Sequence, residues 1–311
     1  MSESIPFSAS PLSHCDFLIC PICGQPLFPS ASGNALQCPR NHSFDIAREQ
    51  YVNLLLKKAS GDTKEMLQAR RQFLKSGHYA PLSNKIDELV ARYLNETRLS
   101  RLPAAADVSE HTQGSQSCIS ILDAGCGEGY YLGQLRRYLR IHQSELPHCY
   151  LGIDSSKEAI RMAARRYKDI CFLVASIKEP LPIASDSIQV LLNIFAPRNV
   201  AEFARVLVPD GLLLALIPGP NHLQPLRDRL SLLSIEEDKQ QHVIQQFASY
   251  FSLRDIITLD YRLPLDRQAI ILLVRMTPNY WHLSEQARQA IEGIKEVQTK
   301  ISLTCLVFVK Q

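Results

Sequence analysis

The strongest constraint on the fold is an alternation of apolar and amphipathic segments that begins at residue 118. Apolar runs predict strands at 118–125, 149–154, 170–176, 187–196 and 210–219. Helical patterns lie between them at 130–143, 156–167 and 200–208. Repeated strand–helix order requires a parallel sheet that is covered by helices on both faces. The sequence therefore predicts an α/β, Rossmann-like domain.

The C-terminal part departs from this alternation. A helical pattern at 266–278 lies between two strand-like runs, 253–263 and 300–310. A closing strand–helix–strand unit of this kind favours an antiparallel edge on a mostly parallel sheet.

The segments before the sheet differ in composition from one another. We predict a loose N-terminus at 1–16, a compact cysteine-rich block at 17–58, a helical connector at 59–100, a linker at 101–117, and the α/β domain at 118–311. Within the connector, Asp62 and Glu65 predict a capping box for a helix that ends at Gly77. Pro81 is predicted to open a second helix that ends near Tyr93.

The cysteine-rich block carries a metal-ligand pattern. Cys20, Cys23, Cys38 and His42 follow the spacing C-x2-C-x14-C-x3-H. Zinc favours four thiolate and imidazole ligands in tetrahedral geometry, and four protein ligands leave no position for a substrate. The pattern therefore predicts a structural Zn²⁺ site in a block too small to fold by burial alone. A coincidence of free thiols is the alternative.

The first predicted strand runs into a glycine turn with the sequence ILDAGCGEGYY. Asp123 precedes Gly125, Gly127 and Gly129, and glycines let backbone approach a ligand closely. This pattern resembles motif I of class I S-adenosylmethionine-dependent methyltransferases. Asp154, which ends the second strand, can accept both ribose hydroxyls of such a cofactor. NAD binding and a turn that holds no ligand are the alternatives.

The third and fourth strands carry weaker indications. No acidic residue follows the third strand, so Ser176 or a backbone carbonyl would have to receive the adenine amino group. After the fourth strand, the sequence NIFAPRN lacks both an Asn/Asp-Pro-Pro-aromatic motif and a Pro-Cys pair. Phe195 could stack on a purine or pack in the core, and Asn193 could contact a ligand or the strand-end backbone. No residue is identified as a general base.

Several motifs occur together in a fixed order. They are CPICGQPL, CPRNHSFDIAREQYVNLL, MLQARRQFLKSGHY, LDAGCGEGYY, IFAP, PGPNHL and MTPNYW. With this order, the chain resembles the RlmA family of bacterial 23S rRNA (guanine-N1)-methyltransferases over roughly residues 18–310. The resemblance implies a zinc-binding domain that grips RNA, a methyltransferase domain, and a homodimer that frames an RNA-binding cleft.

The resemblance also implies a substrate and site residues. The expected substrate is a guanine in a 23S rRNA hairpin near the peptide exit tunnel, and we expect the housekeeping branch of the family rather than the branch linked to macrolide resistance. The family's zinc ligands correspond to the four residues of the metal motif. Its cofactor contacts correspond to Tyr79, Gly127, Glu128 and His222.

Bulk composition is compatible with an RNA-binding enzyme but does not require one. The net charge is only +3, so any RNA-binding surface must be local. Candidate phosphate contacts, each of which could equally be an ordinary solvated cation, are Arg40, Arg48, Lys57, Lys58, Arg70, Arg71 and Lys75. No apolar run approaches the roughly 20 residues of a membrane span, and the N-terminus lacks a secretion signal. We therefore expect a cytoplasmic protein without a membrane partner.

Two other functions remain open at this point. A methyltransferase that acts on a quinone or metabolite would explain the glycine turn and Asp154 but not the metal motif. A non-catalytic RNA-binding factor on a methyltransferase scaffold would predict the loss of cofactor-binding residues, and these are present in the sequence.

Overall fold

The computed structural model describes residues 12, 15–57, 62–101, 118–143, 147–230, 232, 235–236, 238–277 and 284–311. Most of the predicted N-terminal segment and of the linker at 101–117 lies outside these residues, as does Lys58.

The described strands form one small sheet and one large sheet. They are β1 (Phe28–Pro29), β2 (Ala35–Gln37), β3 (Ser43–Asp45), β4 (Tyr51–Asn53), β5 (Ile119–Ala124), β6 (His148–Asp154), β7 (Cys171–Val174), β8 (Ile188–Ile194), β9 (Leu207–Pro218), β10 (Phe251–Asp266) and β11 (Glu296–Lys310). The small sheet has the order β1-β2-β3, and the large sheet has the order β10-β11-β9-β8-β5-β6-β7-β4.

The large sheet confirms the predicted fold class. Strands β4 to β9 pair in parallel, as in the registers Ile121↔Val190 and Leu151↔Cys171. Strands β11 and β10 then add an antiparallel edge. The central strands are buried on both faces, which explains why their sequences are nearly continuous apolar runs rather than alternating ones.

Helices cover both faces of this sheet. They are α1 (Lys64–Lys75), α2 (Ala80–Arg101), α3 (Tyr130–His142), α4 (Lys157–Arg166), α5 (Val200–Val206), α6 (Gln224–Leu230), α7 (Lys239–Phe247), α8 (Arg267–Arg275) and α9 (Glu285–Gly293). Helices α5 and α7 share one apolar cluster with the N-terminal block, and most of the others pack on the opposite face. Among the described helices, none is long and apolar enough to cross a membrane.

The start of α1 corrects the predicted capping box. Thr63, not Asp62, is the N-cap, because its hydroxyl accepts a hydrogen bond from the Met66 backbone N–H at 3.3 Å. The Asp62 carboxylate instead lies 2.6 Å from the guanidinium of Arg70. The second helix is also longer than predicted: it continues past Tyr93, where Leu94 is buried, and ends at Arg101.

The N-terminal block is joined to the large sheet by backbone hydrogen bonds. Strand β4 of the block pairs in parallel with β7, with Tyr51 opposite Phe172. A second contact is an antiparallel bridge between Leu18 and Ile183. The pattern of the sequence contains no sign of this shared edge, because a three-residue strand is too short for a periodicity.

Candidate active site and metal centre

The four predicted metal ligands converge. The ligand atoms of Cys20, Cys23, Cys38 and His42 all lie within 4.8 Å of one another. The Cys23 and Cys38 sulfurs are 3.6 Å apart, and His42 Nδ1 is 3.5 Å from the sulfurs of both Cys20 and Cys38. Tetrahedral zinc with Zn–S bonds of about 2.3 Å needs sulfurs roughly 3.8 Å apart. The donor set and its spacing therefore fit Zn²⁺.

Two tight backbone turns hold these ligands. Gly24, at φ 69°, closes the first turn by donating its N–H to the Cys20 carbonyl at 2.8 Å. Asn41, at φ 63°, does the same for the Cys38 carbonyl at 2.9 Å. Burial opposes ionisation of Cys38, but backbone hydrogen bonds from His42 and Arg40 outweigh it and lower the pKa of the Cys38 thiol to about 7. A thiolate is the form that binds a metal ion.

The glycine turn lies between the ends of β5 and β6. Gly125, Gly127 and Gly129 all have positive φ angles, and a Cβ on Gly125 would lie 2.4 Å from the Cβ of Ala196. The N–H groups of Gly125 and Cys126 both donate to the Ile153 carbonyl, at 2.8 and 3.0 Å. These contacts fix the turn at the carboxyl ends of the strands, where ligands of open α/β sheets bind.

The carboxylates of Asp123 and Asp154 line the cavity together with this turn. Asp154 accepts hydrogen bonds from the backbone N–H groups of Gly127 at 3.0 Å and Ser156 at 2.8 Å, which orient it towards the cavity. Asp123 is only 1% exposed, and neither of its oxygens accepts a hydrogen bond from a described residue. Burial and the charge of Asp154 raise the pKa of Asp123 to about 8. Buried carboxylates without a partner indicate a place for a ligand that donates hydrogen bonds or carries positive charge.

Glu128 also lines the cavity with a carboxylate, and it is 1% exposed. Its Oε2 atom lies 3.7 Å from Arg166 and 3.9 Å from Arg71. Burial raises the pKa of Glu128, and the two guanidinium groups oppose the rise. Gly129 is not among the described residues that line the cavity. It is the N-cap of α3, at φ 78°, and its role in cofactor binding stays a prediction.

Tyr79 and His222 also line the cavity, and their side chains contact each other. The Tyr79 hydroxyl lies 3.3 Å from His222 Nε2, and His222 Nδ1 accepts the backbone N–H of Ser302 at 3.3 Å. Burial lowers the pKa of His222 to about 4, so its ring is neutral at pH 7. A neutral ring that accepts at Nδ1 carries its proton on Nε2, and Nε2 therefore donates to Tyr79. The Tyr79 hydroxyl hydrogen is then available for a ligand.

Phe195 lies at the rim of the cavity. Its side chain is 44% exposed, and its backbone is left-handed at φ 52°, which is strained for an aromatic residue. Its ring centroid is 6.3 Å from that of Tyr79. Asn193, in contrast, is buried and donates to the carbonyls of Ala124 at 3.3 Å and Pro197 at 2.9 Å. Exposure excludes core packing for Phe195, and Asn193 satisfies strand-end backbone groups.

The cavity itself is large and is shared by two parts of the chain. Its volume is 1640 Å³, above the roughly 300–1,000 Å³ of ordinary small-molecule sites. The glycine turn, Tyr79 and Phe195 line it together with residues 20, 21 and 24 of the first metal-binding turn. Ser176, the candidate adenine contact, lies in the same wall. The cavity has room for a cofactor and for part of a second ligand.

Arg70, one of the candidate phosphate contacts, lines the cavity. Its Nη1 atom would lie 3.5 Å from a Cβ on Gly127, and its Nη2 atom donates to the Met276 carbonyl at 3.2 Å. The sequence could have indicated that Arg70 points inwards, because it shares a helical face with the buried residues Met66 and Phe73.

Comparison with known proteins identifies related sequences. The family model described as "RlmA, N-terminal" matches residues 18–59, and a "Methyltransferase domain" model matches residues 121–211. A protein of Micromonospora griseorubida, named as a candidate 23S rRNA (guanine-N1)-methyltransferase, is 40% identical over 85% of this chain and 87% of its own length. The 23S rRNA (guanine(748)-N1)-methyltransferase of Streptomyces fradiae is 33% identical over 93% and 95% of the two chains. A further candidate guanine-N1 methyltransferase, of Bacillus subtilis, is 29% identical over 94% and 96%.

Proposed function

The chain belongs to the RlmA family of 23S rRNA (guanine-N1)-methyltransferases, and on this premise we propose that it transfers a methyl group from S-adenosylmethionine to N1 of a guanine in 23S rRNA. One observation carries the proposal. A single cavity is lined by the cofactor turn, by an exposed aromatic ring and by the metal-binding block. A metabolite methyltransferase would leave the metal-binding block without a role at this cavity, and a non-catalytic factor would not need the intact carboxylates.

The residues of the cavity fit the parts of the cofactor. When bound, S-adenosylmethionine supplies an electrophilic methyl group on a positively charged sulfur. Asp154 is oriented to accept the ribose hydroxyls. The unpartnered carboxylate of Asp123 suits the methionine ammonium group, and the Tyr79 hydroxyl can donate to the methionine carboxylate. The cofactor's adenine would lie towards Ser176, as the sequence suggested.

The guanine must present N1 to the methyl group. N1 carries a proton and takes part in Watson–Crick pairing, so the base has to leave its stack before it reacts. Phe195, exposed at the rim, is positioned to stack on the extruded base. As the N1–CH3 bond forms and the sulfur–CH3 bond breaks, the N1 proton passes to water. Catalysis rests on in-line positioning, and no side chain is assigned as a general base.

The metal-binding block is the proposed RNA grip. Arg40, Arg48 and Lys57 are exposed on it, and cations at such positions can contact phosphates. Arg70 and Arg71, which we also expected to bind RNA, have Asp62 and Glu128 as partners and are better placed to support the cavity. Lys75 is exposed at the end of α1.

The proposed function also includes an oligomeric state, a cellular location and a position in the rRNA. We propose a homodimer in the cytoplasm that acts on a 23S rRNA hairpin near the peptide exit tunnel. The housekeeping branch stays a prediction. Because the Streptomyces fradiae relative is named for guanine 748, that guanine and its neighbours are the first positions to examine.

The decisive experiment measures methyl transfer from labelled S-adenosylmethionine to unmethylated 23S rRNA. Methylation at N1 blocks base pairing, so it stops reverse transcription at the modified guanine and maps it. A quinone acceptor and a total metabolite extract serve as alternative substrates. Labelling of a small molecule with no rRNA product would favour the metabolite enzyme, and failure to bind S-adenosylmethionine by calorimetry would favour the non-catalytic factor.

A further inference from the structure

A second cavity lies between α3 and α4, outside the site described above. We call it the arginine groove; its volume is 410 Å³, and its walls include Gly133, Arg136, Arg137, Arg140, Arg166 and Tyr167. No acidic side chain lines the groove among the described residues. Four guanidinium groups therefore face one small depression on a chain whose net charge is only +3.

The charges of the groove are only partly neutralised. Arg136 pairs with Asp169 at the side of the groove, and Arg166 lies 3.7 Å from Glu128. Arg137 and Arg140 are exposed, and neither forms an ion pair with a described residue. Arg136 and Arg140 are four residues apart on one helix, a spacing at which like charges destabilise the helix. An anionic ligand would remove this repulsion.

The groove also has a defined shape. The Tyr167 ring packs directly over Gly133, where an added Cβ would lie 2.2 Å from the ring. The Arg166 guanidinium lies over the same ring, with its Cζ atom 5.1 Å from the ring centroid. The ring holds the Arg166 guanidinium in place, and a guanidinium with a fixed orientation is suited to phosphates, which accept bidentate hydrogen bonds from it.

The groove is adjacent to the active-site cavity. Glu128 lines that cavity, and Arg166, which is 3.7 Å from its carboxylate, lines the groove. The two depressions are therefore separated by one pair of side chains. A polyanion with one base in the cavity can reach the groove with its neighbouring phosphates.

From these observations we propose that the arginine groove binds backbone phosphates of the rRNA strand next to the guanine that enters the active-site cavity. The inference deepens the proposed function and rests on it. An acidic protein segment could also meet the cations, but the four arginines and the adjacent cavity, which is proposed to receive a guanine, favour RNA. The predicted cations of the metal-binding block would then form one RNA contact and the groove a second.

The test compares RNA binding by the full-length protein and by the double variant Arg137→Ala/Arg140→Ala. The probe is an unmethylated 23S rRNA transcript, and affinity is measured by fluorescence anisotropy between 50 and 300 mM KCl. We expect the Kd to rise about 10-fold or more, and the slope of log K against log salt to decrease by about 1.5, as for two lost phosphate contacts. The variant Arg137→Lys/Arg140→Lys should keep most of the wild-type slope.

Control variants and measurements separate the possible outcomes. Arg262→Ala removes an exposed arginine from β10, at the far edge of the sheet, and should leave the RNA Kd unchanged. Wild-type Kd and slope in the double alanine variant would overturn the groove proposal while leaving methyl transfer by the wild type intact. Polyglutamate of equal charge that binds as tightly as RNA, and loses binding in the same variant, would assign the groove to an acidic protein. If the wild type methylates no rRNA, the proposed function fails separately.

Discussion

The metal-binding block and the α/β domain are stabilised in different ways. Strands β1 to β3 are two or three residues long, and Ile22 and Phe28 of the block are more than half exposed. In the large sheet, Ile121, Leu191 and Leu213 are fully buried. Apart from its four ligands, the block has only a few buried apolar side chains, such as Leu27 and Leu36, whereas the sheet has an extensive apolar core. Folding of the proposed RNA grip is therefore linked to the metal, and folding of the cofactor site is not.

Part of the metal-binding block is stabilised by the large sheet rather than by the metal ligands alone. Leu18, Leu27 and Val52 of the block belong to the same apolar cluster as the sheet. The β4–β7 pairing and the bond from Ile19 N–H to the Pro182 carbonyl, at 3.1 Å, continue this attachment through the backbone. Loss of the metal should loosen the ligand turns first and β4 last.

Metal removal is the largest expected perturbation, because structural zinc contributes about 10 kcal/mol or more in small domains. After chelation we expect amides of residues 20–45 to lose protection from hydrogen exchange, while β5 and β6 keep it. Methyl transfer to rRNA should fall at least about 100-fold, and the Kd for S-adenosylmethionine should change less than about 10-fold. Hydrogen-exchange mass spectrometry and filter-binding methylation assays measure these effects.

The variant Cys38→Ser should reproduce the effect of the chelator without a chelator present, and Cys305→Ser, which changes a buried cysteine on β11 away from the metal ligands, is its control. If β5 lost its protection from hydrogen exchange together with residues 20–45, the metal-binding block and the α/β domain would unfold as one unit. The proposed difference in their stabilisation would then be wrong.

Much of this division was predictable from the sequence, and the exceptions have physical causes. The ligand spacing and the strand–helix alternation are local patterns, and both were confirmed. Strand β4 and helices α6, α7 and α9 were not predicted. They are short, and their conformation is set by packing against distant residues such as Phe172 and Phe308 rather than by their own periodicity.

The second prediction concerns the free-energy cost of burying the Asp123 carboxylate in the α/β domain. Asp123 has a folded pKa of about 8 against about 3.9 in an unfolded chain. The stability that this group contributes as a neutral acid is fully present below about pH 4 and is lost as pH rises towards 8. Relative to the wild type, Asp123→Asn should therefore gain about 1.4 kcal/mol of stability per pH unit between pH 5 and 7.5, to a limit of about 6 kcal/mol.

Urea denaturation of the cofactor-free protein at several pH values measures this difference. Asp228→Asn, on the exposed surface of α6, serves as the control and should show no trend. The same Asp123→Asn variant should bind S-adenosylmethionine more weakly, because it removes the carboxylate proposed for the ammonium group. A stability difference that does not vary with pH would show that Asp123 is ionised when buried.

The third prediction tests the rim that the two regions share. Phe195→Ala removes the proposed stacking surface, and base–aromatic stacking contributes about 1–3 kcal/mol. We expect kcat/KM for rRNA to fall about 10- to 100-fold with little change in the Kd for S-adenosylmethionine. Phe195→Trp should retain most of the activity. Equal losses in cofactor and rRNA affinity would mean that Phe195 supports the cavity instead of contacting the base.

Side-chain roles at the site were harder to predict than the fold. The sequence indicated which strand ends carry Asp123 and Asp154, because strand ends follow from periodicity. It could not indicate that Tyr79 of the connector and His222 after β9 form a hydrogen-bonded pair, since 143 residues separate them. The sequence also could not indicate that two candidate phosphate contacts, Arg70 and Arg71, lie beside the carboxylates of Asp62 and Glu128.

The smallest expected effect tests whether the connector belongs to the cofactor site. Tyr79→Phe removes the hydroxyl that accepts a hydrogen bond from His222 Nε2 and can donate one to the cofactor. A single neutral hydrogen bond contributes about 1 kcal/mol, so the Kd for S-adenosylmethionine should rise about 5-fold. The effect should be constant between pH 6 and 9, because His222 has a pKa of about 4 and burial raises the pKa of Tyr79.

Tyr93→Phe, which loses a hydrogen bond to the Asp210 carbonyl away from the cavity, should leave this Kd unchanged. If the Tyr79→Phe effect grows as pH falls from 9 to 6, His222 is charged in that range. Its Nδ1 atom would then carry a proton and could not accept the Ser302 N–H, so the assignment of a neutral ring would be wrong.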